Sequence, residues 1–432
     1  MIEPAIILPR VYAERIAQSG KNSGTLDVKW DERELLALID GFRAGRDGNA
    51  IRGLSDLPRK HHDLAHASTQ VGMGLWFRAD PELHVAGMQS RIVSGALPLD
   101  YFRGKVVGGD WTNPGRGKTI TLTCAEVPEH EESHFAGWLL DAQSAEWCFV
   151  EVADEESELL APLRPAWPLE EIAEKLVVVV GAGSIGSAAC EALASYGVRR
   201  FALVDPDRLL THNFARHRVG RTQLGRHKVN ALAARLHERD PAVDVQPLPI
   251  DVIYDADVVR PVIAEADITL VCADGVEPRR VSNHLSRRAA KPAVFACVLA
   301  DGAYGEILRI RPPRVGCLLC VRAELIAKGA MNPEPALDRG YGTGTRHLPM
   351  TAVGGDLGLV GELAAKVTAA TLLERLGYRE QRLPGDHAIL ALRPKTGMAP
   401  PFDMELAGDV RWGELPSPRA DCPTCGSNRT TG

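Results

Sequence analysis

The spacing of apolar residues changes character along the chain. Trp30 to Phe42 carries leucines at 35, 36 and 38 with Ile39 beside them, the spacing of an amphipathic helix. Thr119 to Cys124 alternates with β-branched residues, and Trp147 to Val152 reads the same way, so both predict strands. These mixed signals predict an N-terminal α+β domain over residues 1–165. Residues 161–169 hold three prolines in nine positions, a composition that excludes helix interior and central strand and predicts a linker.

Beyond residue 170 the pattern becomes regular. Leu176 to Val180 is an unbroken apolar run, the mark of a strand buried on both faces of a parallel sheet. A glycine turn follows, then helical spacing over Ala188 to Tyr196, then a strand over Arg200 to Asp205. A helix is predicted over Lys228 to Arg239, closed by Pro241, with strands at Val243 to Leu248, Ile268 to Cys272 and Ala293 to Leu299. An apolar helical stretch, Leu357 to Leu376, is expected to pack back on the sheet. Alternation of this kind predicts a doubly wound, mostly parallel α/β domain over 170–432.

Composition narrows the class. The 432 residues are 45% hydrophobic and 25% charged, with a net charge of -6. This is ordinary globular composition, and the mild acidity argues against a dedicated nucleic-acid binder. No apolar run approaches the roughly 18 residues of a membrane span, and Met1-Ile2-Glu3-Pro4 lacks the layout of a secretory signal. A cytoplasmic protein is the expectation.

The strongest local motif is Gly181-Ala182-Gly183-Ser184-Ile185-Gly186, set between an apolar strand and a helix. In this pattern Gly181 permits the tight turn, Gly183 lets the backbone approach a phosphate, and Gly186 lets helix and strand pack closely. Asp205 ends the next strand, where a carboxylate can accept hydrogen bonds from a ribose. By itself this Rossmann-like pattern would suggest NAD. The following run, Val204 to His217, adds Asp207, Asn213 and Arg216, and Lys228 follows in Leu224-Gly225-Arg226-His227-Lys228. A dehydrogenase needs no such cluster, whereas splitting ATP between its α- and β-phosphates needs donors and cations that hold a polyphosphate as pyrophosphate leaves. Asp274, in Cys272-Ala273-Asp274-Gly275, supplies a hard oxygen ligand suited to Mg²⁺ after another apolar strand.

GAGSIG, DPDRLLTHNFARH, LGRHK and CADG, in this order, resemble the ThiF/MoeB family of ubiquitin-activating-like adenylating enzymes over about residues 172–425. The resemblance implies that Asp205 holds the ribose, that Asp207 is among the nucleotide-binding residues, that Asn213, Arg216 and Lys228 hold the ATP phosphates, and that Asp274 binds Mg²⁺. It assigns catalytic roles to Arg216, Lys228 and Asp274. It further implies a homodimer that adenylates the C-terminal carboxylate of a small ubiquitin-like or sulfur-carrier protein. Family offshoots that adenylate a peptide or a tRNA base are the first alternative, a non-catalytic scaffold on the same fold the second, and an NAD-dependent oxidoreductase the third.

Two Cys-x-x-Cys pairs, Cys317/Cys320 and Cys422/Cys425, can supply four thiolates to a tetrahedral Zn²⁺. The stretch between them is too long for a self-contained finger and predicts a clip that pins the tail, as in the resembled family, where the zinc is structural. Two departures from that family stand out. The loop Ala323 to Gly355 has no cysteine for a thioester, and Gly340 to Gly344 occupies its expected place; either the protein stops at the adenylate, or another cysteine such as Cys297 serves, or the residue has been replaced. Residues 160–175 also lack the Arg-Tyr-x-Arg-Gln stretch that reaches into a partner's site. Cys190, Cys272 and Cys297 otherwise read as core cysteines. His130-Glu131-Glu132-Ser133-His134 matches a zinc-protease motif literally, but Pro128 and the lack of a third ligand favour a solvated turn. The cluster of His61, His62, Asp63 and His66 reads as a surface helix face.

Overall fold

The computed structural model describes residues 4–45, 51–52, 69–93, 95–108, 118–126, 134–153, 159–333 and 352–426. The chain divides into two compact units, Met1–Ser157 and Glu158–Gly432.

In the first unit the strands are β1 (Ala5–Pro9), β2 (Ser23–Asp31), β3 (Leu36–Ala44), β4 (Ile51–Arg52), β5 (Thr69–Arg78), β6 (Leu97–Pro98), β7 (Thr119–Ala125), β8 (His134–Leu140) and β9 (Ser144–Ala153). Three helices accompany them among the described residues: α1 (Arg10–Gln18), α2 (Pro81–Val93) and α3 (Leu99–Lys105). The strands run in the order β1-β3-β2-β5-β7-β8-β9-β6, and β1 also pairs with β9, so the sheet returns on itself. Strands at 119 and 147 were expected. The helix expected over Trp30 to Phe42 is instead the β2–β3 turn. The carboxylate of Asp31 accepts the backbone N–H of Arg33 at 2.9 Å and Leu35 adopts φ 50, which folds the chain back. The leucines then serve β3, where parallel pairing with β1 outweighs the helical spacing.

The second unit holds one sheet in the order β12-β11-β10-β13-β14-β15-β16-β17. Its strands are β10 (Leu176–Val180), β11 (Arg200–Val204), β12 (Asp244–Leu248), β13 (Ile268–Val271), β14 (Ala293–Leu299), β15 (Tyr304–Ile310), β16 (His387–Ala391) and β17 (Val410–Gly413). Helices α4 (Leu169–Ala173), α5 (Ser184–Ser195), α6 (Lys228–Arg239), α7 (Ala256–Glu265), α8 (Val276–Arg288), α9 (Leu318–Ala327) and α10 (Gly354–Arg375) cover its faces. The five strands from β12 to β14 are parallel, and β15 to β17 are antiparallel. Valines 177 to 180 are at most 2% exposed, because helices cover both faces there. Gly361 lets α10 cross α5 closely: a Cβ there would lie 2.5 Å from the Ile185 carbonyl oxygen.

The proline-rich segment, expected as a linker, makes contacts within the second unit. Trp167 donates its indole N–H to the Tyr196 carbonyl at 2.7 Å, and its ring lies 5.6 Å from the Tyr196 ring. Ile172 is fully buried in the second unit's core. Among the described residues no helix is long and apolar enough to cross a membrane.

Candidate functional site

Strand order reverses on either side of β10, since β11 pairs on one flank and β13 on the other. Loops leaving the carboxyl ends of adjacent strands part at such a switch point and leave a crevice. A cavity of about 690 Å³ opens here, and the glycine turn forms its floor.

Each glycine of the turn has a distinct physical reason. Gly181 adopts φ 95, and a Cβ on it would sit 2.6 Å from the Ala273 nitrogen. A Cβ on Gly186 would lie 1.9 Å from the Gly181 carbonyl oxygen, so only glycine lets α5 start against the turn. A Cβ on Gly183 would meet nothing within 4 Å, which leaves open space over the start of α5. No side chain caps that helix, so its first amides and its dipole are available to an anion.

The charged residues converge on the same cavity. Asp205, Asp207, Asn213, Arg216, Lys228 and Asp274 all line it. Asp205 is 7% exposed and accepts the N–H of Ala182 at 2.8 Å and that of Asp207 at 2.9 Å. Burial raises its carboxyl above the ordinary range, against the pull of Lys228. The Lys228 ammonium lies 2.6 Å from Asp207 and 3.9 Å from Asp205. Burial disfavours that charge, but the two aspartates outweigh it and the pKa ends above the ordinary lysine value. Lys228 therefore stays cationic at neutral pH.

Asn213 and Arg216 share the 3₁₀ turn Thr211–Ala215 and its end. Asn213 Oδ1 accepts the Leu210 N–H at 2.7 Å and its carbonyl accepts the Arg216 N–H at 3.0 Å, which fixes the turn. The buried Arg216 Nε has no hydrogen-bond partner among the described residues. Asp274 follows β13, and the next residue is anchored by Arg279, whose Nε donates to the Gly275 carbonyl at 2.9 Å. Arg279 also reaches Cys297 Sγ at 3.2 Å, and Cys297 borders the cavity. Burial raises the thiol pKa of Cys190, Cys272 and Cys297, in keeping with core cysteines.

Three contributors escaped the sequence reading. His217 donates to the Ala182 carbonyl, Gly354 brings the start of α10 against Arg216, and Ile250 to Tyr254, apolar but for Asp251 and the Tyr254 hydroxyl, forms a wall of the cavity. A Cβ on Gly354 would stand 2.8 Å from the Ala215 carbonyl oxygen and 3.1 Å from Arg216 Cα. The Gly354-Gly355 pair before an apolar helix was the available signal for the second of these.

Away from the cavity, the sulfurs of Cys317, Cys320, Cys422 and Cys425 lie within 4.8 Å of one another. The Cys317–Cys422 and Cys320–Cys425 sulfurs are 3.5 and 3.4 Å apart. Four thiolates about 2.3 Å from a tetrahedral Zn²⁺ stand about 3.8 Å apart, so this donor set fits zinc. Both knuckles are tight: the Cys317 carbonyl accepts the Cys320 N–H at 2.9 Å and the Cys422 carbonyl accepts the Gly426 N–H at 2.9 Å. His130 to Ser133, the cluster at 61–66 and Gly340 to Gly344 lie outside the described residues, while His134 opens strand β8.

An open, doubly wound sheet with a glycine turn at its switch point places the second unit among the doubly wound α/β proteins. Within that class the chain belongs to the ThiF family, whose sequence profile matches residues 157–383. It is 30% identical over 177 residues to the sulfur carrier protein ThiS adenylyltransferase of Bacillus subtilis (strain 168), covering 40% of this chain and 51% of that protein. It is 28% identical over 169 residues to ubiquitin-like modifier-activating enzyme 5 of Caenorhabditis elegans, covering 37% and 40%. It is 34% identical over 131 residues to the mouse (Mus musculus) adenylyltransferase and sulfurtransferase MOCS3, covering 30% and 28%. The chain thus spans about half or less of the length of these relatives. Among solved structures, E. coli MccB aligns at 16% identity and a TM-score of 0.45 over 61% of this chain and 68% of that one.

Proposed function

We propose that the second unit is an ATP-dependent adenylyltransferase that activates the C-terminal carboxylate of a small ubiquitin-like or sulfur-carrier protein. One observation carries the reading. Asn213, Arg216, Lys228 and Asp274 reach a single cavity from the 3₁₀ turn after β11, the start of α6 and the loop after β13, around a helix start with open space above Gly183. A dinucleotide oxidoreductase has no use for two cations and a second acidic loop at that place. Family membership and the activities for which the relatives are named support the same chemistry.

In this reading the amides at Gly183 and the start of α5 hold phosphate oxygens, and Asp205 accepts from the ribose. Arg216 and Lys228 offset the charge that gathers as pyrophosphate leaves, and Asn213 orients the phosphates. A carboxylate oxygen of the substrate forms a bond to the α-phosphorus while the bond from that phosphorus to the bridging oxygen of pyrophosphate breaks. Positioning and charge neutralisation, not covalent protein chemistry, lower the barrier. Asp274 would hold Mg²⁺, which supplies further charge neutralisation when bound. Zinc on the four thiolates would be structural and tie the tail to the start of α9.

ATP–pyrophosphate exchange tests the proposal. Exchange that depends on a small ubiquitin-fold protein ending in a free carboxylate, and is lost in Arg216→Ala, is the expected result. Exchange driven only by a peptide or a tRNA would transfer the activity to that substrate class. ATP binding with no exchange under any partner would leave a scaffold, and nicotinamide binding in place of ATP would overturn the reading.

A further inference from the structure

The glycine turn is held at one residue through both of its backbone polar groups. Ala182 is fully buried; its N–H donates to Asp205 Oδ2 at 2.8 Å, and its carbonyl lies 2.8 Å from His217 Nε2. The other ring nitrogen of His217, Nδ1, accepts the Val219 N–H at 3.2 Å. A nitrogen that accepts cannot carry the proton, so the proton sits on Nε2 and is donated to the Ala182 carbonyl. The ring is 9% exposed, and burial lowers its pKa to about 4. It is neutral near pH 7, with both nitrogens used.

The neighbours of this ring give the contact its meaning. His217 follows Arg216 directly, and the Asn213 carbonyl accepts the N–H of both residues, at 3.0 Å for Arg216 and 2.8 Å for His217. The imidazole therefore joins the turn that carries Asn213 and Arg216 to the turn that opens α5. With Ala182 occupied on both its polar atoms, it is Gly183 and the first residues of α5 that remain to face the cavity. A second, longer hydrogen bond joins the same segments further along α5, where Ser187 Oγ accepts the Arg218 N–H at 3.3 Å.

We propose that His217 is a positioning residue: with both ring nitrogens engaged by backbone groups at the cavity's edge, it sets the distance between the phosphate-facing start of α5 and the Arg216 guanidinium. The inference rests on the adenylation reading and deepens it. A rigid spacing of donor and cation is worth most where charge develops, so its loss should weaken polyphosphate binding and turnover while the fold survives.

Three variants test this in the full-length protein. His217→Phe keeps a planar ring, though a larger one, and removes both hydrogen bonds; its KM for ATP in pyrophosphate exchange should rise about tenfold. His217→Gln offers an N–H and an oxygen in similar places and should recover most of that loss. His217→Asn, too short to reach both partners, should fall between them. If the phenylalanine variant fails to fold, the comparison of glutamine with asparagine decides. A wild-type readout independent of activity is the ¹⁵N spectrum of histidine-labelled protein at pH 7, in which His217, assigned by its absence in His217→Gln, should show the Nε2–H tautomer. An Nδ1–H tautomer or an imidazolium would overturn the proposal, as would an unchanged KM in His217→Phe while Arg216→Ala loses exchange. Should Arg216→Ala also exchange normally, the adenylation reading is what fails.

Discussion

The two halves of the second unit's sheet use charge in opposite ways. The parallel half, β12 to β14, packs an apolar core and places Asp205, Arg216, Lys228 and Asp274 beyond its strand ends, where they line the cavity. The antiparallel half, β15 to β17, buries charges on and beside β15 and pairs them with opposite charges. Glu306 is 1% exposed and held by Arg322, with its Oε1 2.8 Å from Nη1 and 3.1 Å from His387. Arg309 reaches Asp386 at 2.5 Å and Glu374 at 2.7 Å, and Arg311 reaches the same two carboxylates at 2.6 and 3.0 Å. Parallel connections must cross over through helices, so their loop ends gather in space and can be spared for binding. The antiparallel strands carry charges that tie α9, α10 and the tail to the sheet.

This division predicts that substitutions in one half change stability and those in the other change nucleotide handling. The largest effect is expected at the thiolate clip. Cys317→Ser should abolish bound zinc, measured by elemental analysis, and lower the melting temperature more than any other change named here, because metal binding contributes folding free energy. Retention of zinc at full stability would remove the clip from the account. Glu306→Gln comes next, since removal of one partner of a buried ion pair leaves Arg322 uncompensated at a cost of about 3–5 kcal/mol. Its ATP affinity below the melting temperature should stay within about threefold of wild type.

In the parallel half, Asp274→Ala and Arg216→Ala should reduce pyrophosphate exchange by about 10²–10³-fold with little change in melting temperature. The smallest structural effect belongs to Gly183→Ala. A methyl group fits the open space there, so denaturation midpoints should not move, while ATP binding measured by calorimetry weakens. A lowered midpoint with normal binding would place that space outside the ligand path.

Acid sharpens the same contrast. Burial raises the Glu306 pKa, but Arg322 and His387 outweigh it and hold the carboxyl well below its ordinary value of 4.5. The unfolded chain then binds the proton more readily, so this contribution is complete above about pH 4.5 and declines as pH falls below it. Glu306→Gln should flatten that limb of the stability curve. His217 adds a second window: with a folded pKa of about 4 against 6.5, its contribution is full above pH 6.5 and is lost as pH falls towards 4.

What the sequence revealed follows the same line. Strands β10, β13 and β14 were legible because burial on both faces forces an unbroken apolar run. Strands β15 to β17 were missed for the converse reason. β15 carries Glu306 and Arg309 at fully buried positions, and only tertiary partners make such residues interior. The residues expected at the candidate site do converge on one cavity, since motif spacing registers loops at strand ends. His217 could not be read, because its role depends on a backbone carbonyl thirty-five positions away. The helix expected over Trp30 to Phe42 failed where a single Asp31 turn and a parallel neighbour overrode the local spacing.

One feature of the first unit bears on how the chain should be handled. β1 is flanked by β3 on one side and β9 on the other, with Ile6 facing Ala37 and Val150 in the two registers. Trimming the chain before Arg10 would strip hydrogen-bonding partners from two strands at once and expose both as adhesive borders. Truncations that begin at residue 10 should therefore self-associate in solution, whereas those that retain Ala5 should not.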